Sequence, residues 1–592
     1  MLRLRLANPV PQRFRGFKIR AAMVVTGMSL GLLVLAGRAF DLQVLRQQEL
    51  GKLAKGQSQR TIRLKGQRGE VLDRFGAPLA VSIQSDSFFA RPGQLGDPSQ
   101  AATRLSKALG LPREKIAERL ASDQAFVWLK RRVTPQESAA VRALDLPGVG
   151  STHEFLRVYP NRALAAALLG FTGVDTQGLE GLEYAYDSHL KGAEGYRVID
   201  RDALGRTLFT SESANPTAGG SVALTLHPAI QHIAEAELAL AVERHAAVRG
   251  VAVVIRSQTG EILALAQAPG FNPNDFAGAD RESTFNRAVT SGYEPGSTFK
   301  IVTAAAALEL GAVKPDASFY CENGKFELAD SVIHDTEPHE WLDLRGILQV
   351  SSNICAAKIG LQIPKAAFRE MILRFGFGER VGLFVAADGR RLAGEAEGFV
   401  LPLKKWTSVD QAAVSFGHGV LVSPLQMAMA ANTLATDGIL LRPYIVREAR
   451  DARGRIVERN EPTRVRRVIS AETARRVREF LVAVTEEGGT GVRAAVPGFQ
   501  VAGKTGTTEQ YELEARNYSK TRTVASFAGL IPAEAPELTI LVAVEDPRRG
   551  RHGSVVAAPV FREIARRSLP LLGIWPKEGV RRVALSAGGK PR

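Results

Sequence analysis

Glu294-Pro295-Gly296-Ser297-Thr298-Phe299-Lys300 runs straight into the apolar stretch 301–310 (IVTAAAALEL), which Gly311 closes. Rich in alanine and almost without a polar face, that stretch predicts a buried helix, opened by Pro295 and Gly296 and ended by a glycine. Ser297 and Lys300 stand three residues apart in its first turn, on one face, so hydroxyl and amine can meet. The positive end of the helix dipole favours an alkoxide or oxyanion beside that serine. A lysine in apolar surroundings gives up its proton more easily and can serve as a general base. This is the pattern of an activated serine nucleophile. Ser188 and Lys191 repeat the spacing in a polar stretch (YDSHLKGAEG), however, so the pair alone decides nothing.

Two elements downstream bear on the choice. Ser351-Ser352-Asn353 precedes an apolar helical segment, 354–361. Serine and asparagine there are natural helix caps. A serine hydroxyl and an asparagine amide two residues apart can equally shuttle a proton and hold a substrate carbonyl. Lys504-Thr505-Gly506-Thr507 follows Val501-Ala502-Gly503 on an expected edge strand. A lysine with two hydroxyls suits a carboxylate, and the glycines let a substrate backbone lie along the strand. The plainer reading is a glycine-rich strand with a solvated lysine.

The chain around these elements predicts an α+β domain. Residues 221–226 read as a strand, 230–242 as a helix, and 250–257 with 261–267 as a hairpin about Thr259-Gly260. The antiparallel sheet is expected to resume at 501–507, 524–530 and 538–544, so the first and last parts of the domain share one sheet. Before it, residues 51–221 are mixed α and β, with extended structure at 61–72, helix at 100–120 and a strand at 126–129. Nothing there looks like a nucleophile, a metal site or a phosphate loop.

Arg3, Arg5, Arg13, Arg15, Lys18 and Arg20 precede the uncharged, mostly apolar stretch 21–37, and no acidic residue occurs before Asp41. A membrane anchor over 21–42 is expected, with the basic tail 1–20 in the cytoplasm and the bulk of the chain outside. A cleaved signal peptide is the competing reading, since Gly37 and Ala39 could form a cleavage site. The net charge of +16 is dispersed rather than interleaved with aromatics, which speaks against nucleic acid and suits an anionic membrane face or envelope polymer. Cys321 and Cys355 are the only cysteines. Two in so long a chain make no disulfide framework; they could pair in an oxidising compartment, but buried thiols are the expected state.

Taken in order, S-x-x-K, S-x-N and K-T-G form the serine acyltransferase set of penicillin-binding proteins and serine β-lactamases. The chain resembles a class B penicillin-binding protein, a monofunctional peptidoglycan D,D-transpeptidase, from the anchor to about residue 575. Arg68-Gly69-Glu70-Val71-Leu72-Asp73-Arg74-Phe75-Gly76, Gly181-Leu182-Glu183, Phe271-Asn272-Pro273-Asn274, Ser415-Phe416-Gly417-His418-Gly419 and Ala557-Ala558-Pro559-Val560-Phe561 also match the family. His227 and His418 depart from its commoner aspartate and tyrosine, and neither belongs to the catalytic set.

The resemblance implies an anchor, an elongated pedestal or dimerisation-type module over 43–220, a transpeptidase domain over 221–575 with the serine β-lactamase-like fold, and a basic tail over 576–592. It implies Ser297 as nucleophile on a stem pentapeptide, Lys300 as base, and Ser351 and Asn353 relaying the proton and holding the donor. Lys504, Thr505, Gly506 and Thr507 would bind the substrate carboxylate, or that of a β-lactam. The N–H groups of Ser297 and Thr507 would form the oxyanion hole, with no cofactor. Expected partners are peptidoglycan stem peptides, β-lactams, the membrane, a polytopic glycan polymerase and other division proteins, in an inner membrane of single-pass topology. The likeness leans towards the septum-forming type over the elongation type. Rival readings are a β-lactamase or carboxypeptidase, a β-lactam sensor or division scaffold, and a metal site at His334-Asp335, His339-Glu340 and Asp343, which lacks zinc-hydrolase spacing.

Overall fold

A computed structural model describes residues 15–201, 207–386, 388, 389, 391, 394–512 and 517–576. Most of the expected basic tail 1–20 and nearly all of the tail 576–592 lie outside the described residues. The chain divides into two compact units, one made of residues 1–66 with 193–217 and the other of 67–192 with 218–592.

In the first unit, one helical run covers Gly16–Leu45. At 1.5 Å per residue its 30 residues span roughly 45 Å, more than the ~30 Å of a bilayer's hydrocarbon core. Its apolar side chains, Val24, Met28 and Leu33 among them, are exposed through Phe40 and none is buried, so no protein core covers them. A second helix, Gln47–Ser58, leads to a three-stranded antiparallel sheet in which Gly195–Arg201 lies between Gln59–Leu64 and Thr207–Ala214.

The second unit starts with a small lobe. Strand Pro78–Ala90 pairs with both Val127–Lys130 and Val149–Val158. Helices Pro98–Leu109 and Arg113–Leu120 bury Leu105, Leu109 and Ile116 against Leu129. The helix spacing of those leucines and the alternation along Val127–Lys130 are what make one apolar face on each element. The sheet then continues without a break, because Val71 pairs in parallel with Val222 and the strand Ser221–Leu224 pairs in turn with Val446–Arg450. Beside it, Glu183 is fully buried between two guanidiniums, at 2.6 Å from Arg68 and 2.7 Å from Arg157. Burial alone would raise its pKa, but the charges of Arg157 and Arg68 outweigh that and hold it below the usual carboxylate value.

The central element is a five-stranded antiparallel sheet in the order Glu261–Ala268, Arg249–Arg256, Leu538–Glu545, Asn517–Ile531, Ala502–Glu512. First and last parts of the domain share it, as the apolar runs predict. Alternate residues face opposite cores. Val254, Ile540 and Phe527 pack with helices Pro228–Arg244 and Gly553–Ser568. Val253, Ile255 and Leu541 pack with helix Lys300–Glu309 and with Pro424–Ala435, whose twelve residues are all buried. Among the described residues Ala502–Glu512 pairs only with Asn517–Ile531 and so forms the sheet's open edge.

One expectation fails here. Cys321 and Cys355 are not thiols but a disulfide, with Cα atoms 5.3 Å apart. The count of two cysteines said nothing about proximity. The chain leaves strand Ser318–Tyr320, makes a hairpin of Lys325–Leu328 with Ser331–His334, and returns through Trp341–Asp343, which pairs with the starting strand. That return brings Cys321 beside the helix Asn353–Gln362.

Candidate active site

Gly296–Phe299 forms a single 3-10 turn that passes directly into helix Lys300–Glu309, and Gly311 closes it with φ 64°. The turn is held from outside. Gly296 has φ 53°, and its N–H donates to the Gly417 carbonyl at 3.1 Å. A Cβ on Gly417 would stand 2.1 Å from the Gly296 oxygen, so the two backbones meet only because Gly417 carries no side chain, and a Cβ on Gly296 would lie 2.0 Å from Thr508 Oγ1 on the edge strand. Ser297 is partly exposed, and its N–H has no partner among the described residues, as expected in a first turn.

Lys300 is buried, and its Nζ donates to the Ser351 carbonyl at 2.6 Å, to Asn353 Oδ1 at 2.7 Å and to Ser351 Oγ at 3.2 Å. Lys504, also buried, donates from Nζ to the same Ser351 Oγ at 2.9 Å. The hydroxyl of Ser351 thus joins two amines from distant parts of the chain. The bond between Ser297 and Lys300 that the spacing suggests is not among the hydrogen bonds. The amine turns to Ser351 and Asn353 instead, and such contacts tighten once substrate is bound. Burial brings the Lys300 pKa down to about 7, against a smaller upward pull from Asp335. Burial, and then repulsion by Lys300, takes Lys504 well below its ordinary value.

The S-x-N segment fits both of its readings. Ser352 caps helix Asn353–Gln362, its Oγ accepting from the Cys355 N–H at 3.0 Å. Ser351, with φ 65°, turns away from the cap towards the lysines. The surprise is Asp335, weighed above only as a metal ligand. Its carboxylate accepts from Ser352 Oγ and the Asn353 N–H, both at 2.5 Å, and from the Ile354 N–H at 3.1 Å. It clamps the start of the helix that carries Ser351 and Asn353, adding negative charge where a helix N-terminus favours it.

On the edge strand, Thr505 Oγ1 shares a hydrogen bond with Thr490 Oγ1 at 2.9 Å, and Thr507 Oγ1 accepts from the Gly553 N–H at 3.1 Å. Thr507 is partly exposed on the open edge. A Cβ on Gly506 would lie 2.3 Å from Ser526 Oγ and 3.0 Å from the Pro295 oxygen, so the strand presses against the serine turn. His418 also borders the site. Burial and the charge of Lys300 lower its pKa to about 4, which leaves it neutral, with its ring 5.4 Å from that of Tyr518. The structure therefore gathers Ser297, Lys300, Ser351, Asn353 and the segment 504–507 in one place, and adds Asp335, Gly417 and His418.

Residues 250–566 match the model of the penicillin-binding protein transpeptidase domain, and residues 63–224 match that of the penicillin-binding protein dimerisation domain. The chain belongs to the penicillin-binding transpeptidase family. It is 35% identical over 564 residues to the probable peptidoglycan D,D-transpeptidase PenA of Neisseria gonorrhoeae, covering 94% of this chain and 93% of that one. It is 32% identical over 579 residues to the peptidoglycan D,D-transpeptidase FtsI of Escherichia coli, covering 96% and 94%. Penicillin-binding protein 3 of Mycobacterium tuberculosis, solved with aztreonam, superposes with a TM-score of 0.68 at 27% identity, over 87% of this chain and 98% of that one.

Proposed function

We propose that this family member is a membrane-anchored serine acyltransferase that cross-links peptidoglycan through an acyl-enzyme on Ser297. The observation that carries the reading is the Ser351 hydroxyl held between the buried amines of Lys300 and Lys504, in the site that also holds the partly exposed Ser297. Neutral Lys300 takes the proton of Ser297 as Oγ attacks the penultimate D-alanine carbonyl of a stem pentapeptide. The N–H groups of Ser297 and Thr507 stabilise the oxyanion. The proton passes from Lys300 through Ser351 to the leaving nitrogen, the C–N bond breaks, and the terminal D-alanine departs with its carboxylate released from Lys504, Thr505 and Thr507. An amine of a neighbouring stem then attacks the ester, forms the new amide and returns the proton to Ser297.

The open edge formed by Ala502–Glu512 supports the substrate pose, since a peptide laid there adds as a further strand. The exposed apolar run Gly16–Leu45 supports a single-pass inner-membrane anchor, and the basic flank before it supports a cytoplasmic N-terminus. Domain limits of 43–220 and 221–575, and a septal role beside a polytopic glycan polymerase, follow from the family resemblance. The test is the fate of the acyl group: with a peptide thioester donor and an amine acceptor, the amide product is expected to exceed hydrolysis. Hydrolysis alone would favour a carboxypeptidase.

A further inference from the structure

We propose that the outer face of the small sheet formed by Ser318–Tyr320 and Trp341–Asp343 binds the glycan of the acceptor, the saccharide chain to which the attacking stem peptide is attached. This rests on the acyl-transfer reading above and adds to it a second contact, away from the reacting atoms. Alternation along the two strands sorts their side chains. Phe319 is buried and Leu342 half-buried on the inner face, while Trp341 and Asp343 stand exposed on the outer face, opposite Tyr320 and Ser318. Trp341 leaves 66% of its surface open to solvent, although tryptophan is on average a well-buried residue.

The chemistry of this face fits a sugar. The indole ring rests 5.5 Å from the ring of Tyr320, whose hydroxyl accepts from Asn323 Nδ2 at 2.8 Å and whose face carries Lys358 Nζ at 5.9 Å. An aromatic surface propped in this way can take the C–H face of a pyranose ring. Asp343 spends Oδ1 on the Gly346 N–H at 2.7 Å, which leaves Oδ2 to accept from a sugar hydroxyl. Charge narrows the occupant further. Within residues 318–343 acidic side chains outnumber the one cation, Lys325, seven to one, and the nearby Lys358 is already paired with Glu322. Such a surface repels an anionic lipid or an acidic peptide and suits a neutral chain rich in hydroxyl donors.

The face is also continuous with the site. Cys321, next to Tyr320, is bonded to Cys355, two residues past Asn353, and Asn353 Nδ2 donates to the His334 carbonyl at 3.2 Å. Counted from Cα to Cα through the disulfide, Trp341 lies within roughly 20 Å of Asn353. An extended stem of five residues spans about 17 Å, so a stem whose amine attacks the Ser297 ester can have its glycan on this face. The donor lies along the edge strand Ala502–Glu512, whereas the small sheet flanks the wall that carries Ser351 and Asn353, which assigns it to the acceptor.

The test gives the full-length protein one peptide thioester donor and two acceptors with the same stem peptide, one free and one carrying a disaccharide at its N-terminus, and reads kcat/KM for the amide product. The wild type is expected to prefer the glycan-linked acceptor about tenfold. Trp341→Ala should bring that ratio close to one while use of the free acceptor and penicillin acylation of Ser297 stay within about twofold. Trp341→Phe, which keeps a ring, should retain about a third of the preference. Equal use of both acceptors by the wild type, or a preference that Trp341→Ala leaves unmoved, overturns the proposal. So does a Trp341→Ala variant slowed alike with both acceptors and with penicillin, since that makes the tryptophan a structural residue. No amide from either acceptor would bring down the acyl-transfer reading and the proposal with it, whereas an equal ratio of amide products brings down the proposal alone.

Discussion

Lys300 must be neutral to accept the proton of Ser297, and burial sets its pKa at about 7. The sign follows directly: below that pH the amine is protonated and inactive, so acylation should rise about tenfold per pH unit and level off above pH 7. Asp335 pulls that pKa upward and clamps Ser352, Asn353 and Ile354. Asp335→Asn removes the charge, so the rising limb should move to lower pH while the plateau falls by about tenfold. A stopped-flow pH profile of penicillin acylation measures both, and an unmoved limb would deny Asp335 its electrostatic part. Gly417→Ala would drive a Cβ into the Gly296 oxygen at a backbone with φ 84°. A loss of about 1–3 kcal/mol in urea unfolding, with slower acylation, is expected. Ser297, Lys300, Ser351, Asn353 and the segment 504–507 were legible because each lies in a short motif with its own local chemistry. Asp335 and Gly417 were not, because what they touch lies 17 or more residues away, and no spacing rule reaches that far.

At the scale of elements, hydrophobic periodicity carried most of the fold. The runs at 250–257, 261–267, 501–507, 524–530 and 538–544 each became a strand of the central sheet. Its two contributing halves could be joined from sequence because apolar strands need partners. The disulfide was misread for the opposite reason: its 34-residue separation has no periodic signature, and only the returning strand Trp341–Asp343 brings the sulfurs together. Closing a loop of that length is worth about 4 kcal/mol in the chain-entropy model. Cys321→Ser with Cys355→Ser should therefore cost roughly 2–5 kcal/mol in equilibrium unfolding, and no change would mean that hydrogen bonds alone hold the hairpin.

Across the whole molecule, every residue assigned to the chemistry belongs to one compact unit, and the apolar helical run Gly16–Leu45 belongs to the other. A chain lacking residues 1–45 should be released from membranes yet acylated by penicillin within about twofold of the full-length rate. Its retention in the membrane fraction would move the anchor elsewhere. The apolar helical run was plain in the sequence from its composition and the basic residues before it, whereas the joining of 67–192 to the catalytic part was hidden. That junction depends on the short parallel pairing of Val71 and Leu72 with Val222 and Ala223, too brief for any pattern to reveal.

The central claim is the covalent one, and covalent labelling tests it most directly. A fluorescent penicillin is added to the wild type and to Ser297→Ala, and the tryptic adduct is located by mass spectrometry. The account predicts one stable adduct, on Ser297, absent from the variant. An adduct on another residue, or none on a folded wild-type protein, would contradict it.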